Sequence, residues 1–317
     1  MNAPTPINAP TSAPLPAPTI AFQGEPGAFS EEAALNLLGP NAAPVPRPTF
    51  DSLFAAIHEG AADCILAPIE NSLAGTVAPV CDLLWDSNLS IIAEAIHPIR
   101  HCLIGAPGAT LQTVQTVQSH PVALAQCRNY FRMHPHVRRV AAEDTAGSVR
   151  EVVRSADPTR AAIASARAAQ INGGTILLEG LEDDPSNFTR FLLLAPDPER
   201  PIALPKADAA RERKLTLLLR LRHQAGSLHR ALGVFARRSM SLLKIESRPL
   251  IGQPWHYRFF LDVAAHRDPH QNEAALADLC LETDEVRVLG IYPAAAVAPS
   301  LRPSRSASCS GSIGEAE

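Results

Sequence analysis

The chain has 317 residues, a formal net charge of −4, 46% hydrophobic and 19% charged residues. That length suits two domains, or one with appendages. A mildly acidic balance gives no ground for nucleic acid or an anionic membrane as partner. No apolar run approaches the roughly 20 residues of a transmembrane helix, so no membrane association and a cytoplasmic location are expected.

Residues 1–18 are Ala, Pro, Thr and Asn-rich without Lys or Arg. They read as a disordered tail rather than a signal or transit peptide. Cys64, Cys81, Cys102, Cys127, Cys280 and Cys309 lie far apart with no Cys-x-x-Cys pair, which predicts packed thiols. No metal-ligand spacing occurs, and neither metal nor cofactor is expected.

Thr19 to Phe22 reads as a strand running into Gly24-Glu25-Pro26-Gly27-Ala28-Phe29-Ser30, a tight turn whose backbone amides could hold an anion. Ser30 is expected to cap the helix that follows, through Leu38. Asp51 to Glu59 is amphipathic, and Asp63 to Ile69 is a buried strand ending in Glu70-Asn71-Ser72-Leu73-Ala74-Gly75-Thr76. Asn71 and Ser72 either cap a helix continuing to Leu84 or meet a ligand at a strand end. Leu89 to Leu103 suits strands crossing between two lobes. Ser119-His120-Pro121 opens a helix with Leu124, Cys127 and Phe131 inside. Strands at Val137 to Ala142 and Ala161 to Ala164 lead into Asp144-Thr145-Ala146-Gly147-Ser148 and Ser165, each opening a helix. Alternation of this kind predicts a mainly parallel α/β architecture with polar groups gathered at strand ends.

Asn187-Phe188-Thr189-Arg190-Phe191 then precedes the buried run Leu192 to Leu194. Period two puts Asn187, Thr189 and Phe191 on one side, Phe188 and Arg190 on the other. An Arg at a buried strand mouth needs an anion, either a neighbouring Asp or a ligand carboxylate. The Pro-rich stretch 197–213 reads as a linker. Beyond it, Lys214 to Arg222, a helix opened by Gly226-Ser227, Met240 to Ser247, a strand through Trp255, Tyr257, Phe259, Leu261 and Val263, a helix from Asn272 to Leu281 and a strand from Val286 to Ile291 give βαββαβ, the ferredoxin-like order.

Several motifs together resemble the prephenate dehydratases with a C-terminal ACT domain. They are Gly24-Glu25-Pro26-Gly27-Ala28-Phe29-Ser30, Pro68-Ile69-Glu70-Asn71-Ser72, Gly75-Thr76-Val77, Ser119-His120-Pro121, Asp144-Thr145-Ala146-Gly147-Ser148, Asn187-Phe188-Thr189-Arg190-Phe191 and Glu246-Ser247-Arg248-Pro249. The resemblance implies a two-lobed catalytic part shaped like a periplasmic binding protein (residues 19–196), a linker (197–213), an ACT domain (214–293) and a second tail (294–317). It implies cofactor-free conversion of prephenate to phenylpyruvate, carbon dioxide and water in phenylalanine synthesis, inhibited by L-phenylalanine. Thr189, Arg190 and Phe191 match the catalytic motif. In this reading Thr189 donates a proton to the leaving hydroxyl, Arg190 binds a substrate carboxylate and Phe191 walls the ring. Glu70, Asn71, Ser72, Gly75, Thr76, Thr145, Ser165 and Asn187 would line or orient substrate, with Glu70 bound to backbone amides or Arg190, or protonated. Gly226, Ser227, Leu228, Glu246, Ser247, Arg248 and Pro249 match the phenylalanine site. Ser227, Ser239 and Ser241 depart from the family pattern there, which argues for a weaker effector response. A homodimer or homotetramer is expected, with no mutase segment before the catalytic part. Arogenate dehydratase is the near alternative; a non-catalytic amino-acid sensor is the distant one, opposed by the intact Thr189-Arg190 pair.

Overall fold

The computed structural model describes residues 17–198, 202, 204 and 211–295. Residues 1–16, most of the expected linker and the stretch from 296 lie outside the described residues. The first lobe contains β1 (Thr19–Gln23), α1 (Phe29–Leu38), β2 (Ala43–Arg47), α2 (Phe50–His58), β3 (Cys64–Asn71), β4 (Gly75–Thr76), α3 (Ala78–Asp86) and β5 (Ser90–Pro98). The second contains β6 (Cys102–Gly105), β7 (Thr116–Ser119), α4 (Pro121–Gln126), α5 (Arg128–Met133), β8 (Arg138–Ala141), α6 (Thr145–Ser155), β9 (Arg160–Ala164), α7 (Ala166–Asn172) and β10 (Thr175–Glu179). The chain returns to the first lobe as β11 (Phe188–Ala195). It then builds β12 (Arg213–Leu221), α8 (Ser227–Ala236), β13 (Leu242–Pro249), β14 (Tyr257–Ala264), α9 (Pro269–Glu282) and β15 (Thr283–Pro293).

The first sheet runs β2-β1-β3-β11-β5, the second β10-β6-β9-β7-β8 and the third β13-β14-β12-β15. The third sheet is antiparallel throughout, as the ferredoxin-like order requires. The first two are mixed rather than mainly parallel. Parallel pairs β1–β2, β1–β3, β7–β8 and β7–β9 are joined by antiparallel β11, β5, β6 and β10. The reason is the double crossing. A chain that leaves one lobe and returns must insert its returning strand antiparallel to the strand it left beside.

Two expected caps are corrected. Ala28, not Ser30, is the N-cap of α1, so Ser30 sits in its first turn. Asn71 and Ser72 cap nothing, because β4 intervenes and α3 begins only at Ala78. Asn71 instead closes a turn, its Oδ1 accepting from Leu73 N (3.0 Å) and Ala74 N (2.8 Å). Trp255 also leaves the strand predicted for it. It sits in a loop at φ 65° and is 80% exposed.

The lobes are pinned along one side. Gly27 approaches α7 so closely that a Cβ would lie 2.6 Å from Ala168 Cα, and its φ of +95° favours glycine independently. Ser165 Oγ donates to Gly27 O (2.7 Å), and Arg167 pairs with Glu31 (2.9 Å). On the outer face of the first sheet, Leu192 and Leu194 share one core with Leu218, Phe260, Leu289 and Tyr292 of the third sheet. The ferredoxin-like unit is therefore seated directly behind the strands that carry the strand-end polar groups. Among the described residues no helix is long and apolar enough to cross a membrane.

Candidate active site

Between the lobes lies a cavity of about 430 Å³, walled by the β1–α1 turn, the end of β3, the start of α6 and one face of β11. Strand alternation decides what β11 presents. Thr189 and Phe191 face the cavity, and Leu193 continues that face into the core under α1. Arg190 points the other way.

At the centre Asn71 and Thr189 are cross-strand partners. Because Asn71 Oδ1 is occupied by two backbone N–H groups, its Nδ2 must face β11. There it donates to Thr189 Oγ1 (3.0 Å), Asn187 Oδ1 (2.8 Å) and Phe188 O (3.1 Å). The orientation propagates. With Asn187 Oδ1 turned to Asn71, Asn187 Nδ2 donates to Gln126 Oε1 (3.0 Å). Gln126 Oε1 also meets His101 Nε2 at 3.0 Å, so a neutral His101 carries its proton on Nε2 and donates it. Burial pushes the His101 imidazole below its ordinary value, which keeps it neutral, although the Gln126 bond and Glu182 oppose the shift. One chain of oriented bonds thus runs from His101 through Gln126, Asn187 and Asn71 to the threonine hydroxyl. It leaves the Thr189 proton free to point into the cavity.

Two helix N-termini enter the cavity from opposite lobes. Phe29 and Ser30 of α1 and Thr145 of α6 line it; Asp144, the N-cap of α6, also lines it and accepts from Gly147 N (2.6 Å), while the N–H groups of the first helical residues have no partner inside their helix. Arg150 pairs with Glu25 (2.5 Å), joining α6 to the β1–α1 turn. Phe29 packs edge-on against His101, with centroids 5.5 Å apart.

Of the residues expected at the site, Thr189, Phe191, Asn71, Gly75, Thr76 and Thr145 line the cavity. Asn187 is fully buried behind it, within the hydrogen-bond chain. The others stand elsewhere. Ser72 Oγ clips two loops, donating to Ser186 O (2.6 Å) and accepting from Phe188 N (2.9 Å). Ser165 caps α7 and holds Gly27. Glu70 pairs with Lys244 of the third sheet (2.8 Å), not with backbone amides or Arg190.

The largest correction concerns Arg190. Its Nε donates to Glu94 (2.7 Å), its Nη1 to Asp262 and its Nη2 to Tyr292 Oη (3.1 Å), all behind the strand. Both carboxylates have fully buried side chains. Burial alone would raise Glu94, but Arg190 and Lys214 hold it below the usual carboxylate range. Burial likewise opposes the Arg190 charge, and Asp262 and Glu94 overcome it. Arg190 is saturated by protein anions, so a substrate carboxylate is not its partner.

His101 and Gln126 are cavity residues that the sequence reading passed over. Neither sits in a strand-end polar cluster. The one faint signal was Ser119-His120-Pro121, whose helix ends at Gln126.

In the third sheet, alternation divides the expected effector residues. Ser227 and Leu228 line a second cavity of about 380 Å³ with His223, His256, Tyr257 and Phe259. Gly226 supplies the left-handed N-cap of α8 (φ 79°). Ser247 and Pro249 are cross-strand partners of Phe259 and Tyr257 and share their face. Glu246 and Arg248 face the first lobe instead, bonding Thr76 and Asp82.

Fold and cavity together define a two-lobed α/β ligand-binding architecture with a ferredoxin-like unit seated behind one lobe. The sequence pattern of the prephenate dehydratase family matches residues 20–199, that of the ACT domain matches 215–281, and the chain belongs to the prephenate dehydratase family. It is 38% identical over 288 residues to an Arabidopsis thaliana chloroplastic arogenate dehydratase/prephenate dehydratase, covering 86% of this chain and 71% of that protein. A bifunctional N-acyl-homoserine lactone acylase/prephenate dehydratase of Komagataeibacter europaeus is 37% identical, covering 87% of this chain and 95% of that one. The crystal structure of an Arthrobacter aurescens prephenate dehydratase in complex with L-Phe superposes with a TM-score of 0.76 at 32% identity, over 87% of this chain and 89% of that one. The chain is an enzyme of the lyase type, in the prephenate/arogenate dehydratase family.

Proposed function

We propose that the protein is a prephenate dehydratase, with residues 19–196 catalytic and 214–293 regulatory. Prephenate is a dianion with a ring carboxylate, a pyruvyl carboxylate and a ring hydroxyl. Taking up one proton, it yields phenylpyruvate, carbon dioxide and water. The ring-carboxylate bond electrons enter the ring, the hydroxyl departs with the proton, and aromatisation drives both. The observation that carries this reading is the Asn71–Thr189 bond. Asn71 fills one lone pair of Thr189 Oγ1, which leaves the proton of this cavity-lining hydroxyl free to assist the leaving hydroxyl. Positioned acid catalysis of this kind contributes roughly 10²–10⁴-fold.

With Arg190 engaged elsewhere, the two substrate carboxylates fall to the facing N-termini of α1 and α6 and the Ser30 and Thr145 hydroxyls. Dipolar groups suit this reaction. They bind a dianion without fixing a full positive charge on the carboxylate that must leave as neutral carbon dioxide. Phe29 and Phe191 wall the ring and exclude water.

L-phenylalanine is the proposed effector, bound at the Ser227–Leu228 cavity. The L-Phe complex of the Arthrobacter relative supports this reading. A homodimer or homotetramer is proposed through β13, an edge strand exposing Leu242, Leu243 and Ile245. The test is to follow phenylpyruvate formation from prephenate, with arogenate as comparison and phenylalanine as titrant. Turnover of prephenate, falling as phenylalanine rises, is expected. Exclusive turnover of arogenate would replace the substrate, and a flat phenylalanine response would remove the effector.

A further inference from the structure

Asn71 and Thr189 make a cross-strand pair on the cavity face, and the adjacent pair, Glu70 and Arg190, lies on the opposite face. The catalytic face is therefore one residue away from a face gripped by the third sheet. Glu70 is the more telling member. Its carboxylate lies one strand thickness behind the cleft proposed for a dianion, whose binding it would oppose if left bare. The third sheet supplies the answer, 174 positions along the chain by number.

Lys244 on β13 places its ammonium 2.8 Å from Glu70 Oε1 and 2.8 Å from Thr76 Oγ1. Thr76 Oγ1 donates onward to Glu246 Oε2 at 2.9 Å. Glu70 and Thr76 are a cross-strand pair of the β3–β4 hairpin, and Asn71 and Gly75 are the next pair toward its turn. Thr76, Gly75 and Asn71 all line the cavity. The Lys244 side chain is only 9% exposed, so its charge is committed to this junction. Arg248, four residues further on the same face of β13, makes a two-pronged pair with Asp82 of α3 at 2.7 and 3.1 Å. The strand is thus fixed to the lobe independently of Lys244.

We propose that Lys244 is a positioning residue for the catalytic cleft, donated by the ACT domain. It ties the two strands of the Glu70–Thr76 hairpin, which keeps the Asn71 amide on Thr189. It also cancels the Glu70 charge before the anionic substrate meets it. This rests on the dehydratase reading above, and the two can fail separately. Because the tie comes from β13, any displacement of the third sheet acts on the hairpin that orients the proton donor.

The test compares the parent protein with Lys244→Met, Lys244→Arg and Lys244→Met/Glu70→Gln in steady-state assays at low and high salt. The parent's own turnover of prephenate or arogenate decides the dehydratase reading first. Given turnover, Lys244→Met should lower kcat, because the hairpin is untied, and raise KM about three- to tenfold, the size expected of one unpaired charge acting through a partly solvated wall. The penalty should shrink as salt screens it. Adding Glu70→Gln should restore KM but not kcat, because the charge is removed while the hairpin stays untied. Lys244→Arg should keep KM near the parent. Parent-like KM and kcat in Lys244→Met, or a KM penalty indifferent to salt and to Glu70→Gln, would overturn the proposal. Should Lys244→Met fail to fold, Glu70→Gln alone decides. It leaves Lys244 unopposed and should hold KM at or below the parent value, and a raised KM would overturn the proposal.

Discussion

Thr189 is a weak acid in water, and a role as proton donor would rest on the groups that hold its hydroxyl. Its oxygen is already an acceptor for Asn71, which turns its proton away from that amide. Thr189→Ala should lower kcat by about 10²-fold or more while changing KM little, as expected for a positioned acid. Near-normal turnover in that variant would remove Thr189 from the reaction. The orientation of the chain of amides can be tested at its far end. Glutamine at position 101 can place an N–H where His101 Nε2 stands, whereas asparagine cannot reach it. His101→Gln should therefore retain most of kcat and His101→Asn should lose about tenfold, roughly the worth of one hydrogen bond. Equal kinetics for the two would show that Gln126 needs no such donor. His97, on the neighbouring strand, gives a pH signature. Burial holds its imidazole at about 4 against an ordinary 6.5. The unfolded chain therefore binds a proton that the folded one refuses. The stability contributed is present above pH 6.5 and lost as pH falls toward 4, up to about 3 kcal/mol for this group alone. His97→Phe should flatten the fall in unfolding free energy between those values, measured by denaturant titration.

At the scale of elements, β11 works through its two faces. The cavity face carries Thr189 and Phe191; the rear face carries Arg190, Leu192 and Leu194 into the third sheet. Arg190→Ala would leave Glu94 and Asp262 buried without their shared cation. The expected cost is about 3–5 kcal/mol of stability, with KM of the folded fraction close to the parent value. Chemical unfolding read beside steady-state kinetics separates these outcomes. A large KM rise at unchanged stability would return Arg190 to the substrate. The strand pattern had already separated Thr189 and Arg190. It could not say that the second face had two acids of its own waiting, one 96 positions earlier and one 72 later in the numbering.

For the whole molecule, the decisive contact is the seating of the ferredoxin-like unit on the first lobe. β15 approaches β5 so closely that a Cβ on Gly290 would collide with the carbonyl oxygen of Ile91. Backbone cannot yield as a flexible side chain can. Gly290→Val should weaken docking, lower the unfolding midpoint by several degrees and reduce turnover together with it, because Lys244 and Asp262 ride on the same sheet. A calorimetric scan that keeps one parent-like transition would show that the docking tolerates the change. The paired lobes depend on a second such approach, Gly27 on Ala168, beside the ion pair of Glu31 and Arg167.

Most of the elements, the ferredoxin-like unit, the buried strands and the positions of Asn71, Thr145, Thr189 and Phe191 on the cavity wall were legible in the chain. Periodicity and turn chemistry are local, and these residues sit where local rules put polar groups at strand ends. Glu70, Ser72, Ser165 and Arg190 belong to the same segments, yet their partners come from elsewhere; the residues alone read Ser165 as a cap and left an acidic partner open for Arg190, and it was the family resemblance that assigned all four to substrate. His101 and Gln126 lie 25 positions apart in no shared segment, and only the packing of α4 beside β6 within the second lobe brings them together. The sequence by itself determined which side chains alternate across each strand and which elements form. Only the tertiary structure decided which face meets the cleft and which meets the third sheet, because that depends on what packs behind a strand, and the strand's own pattern carries no record of it.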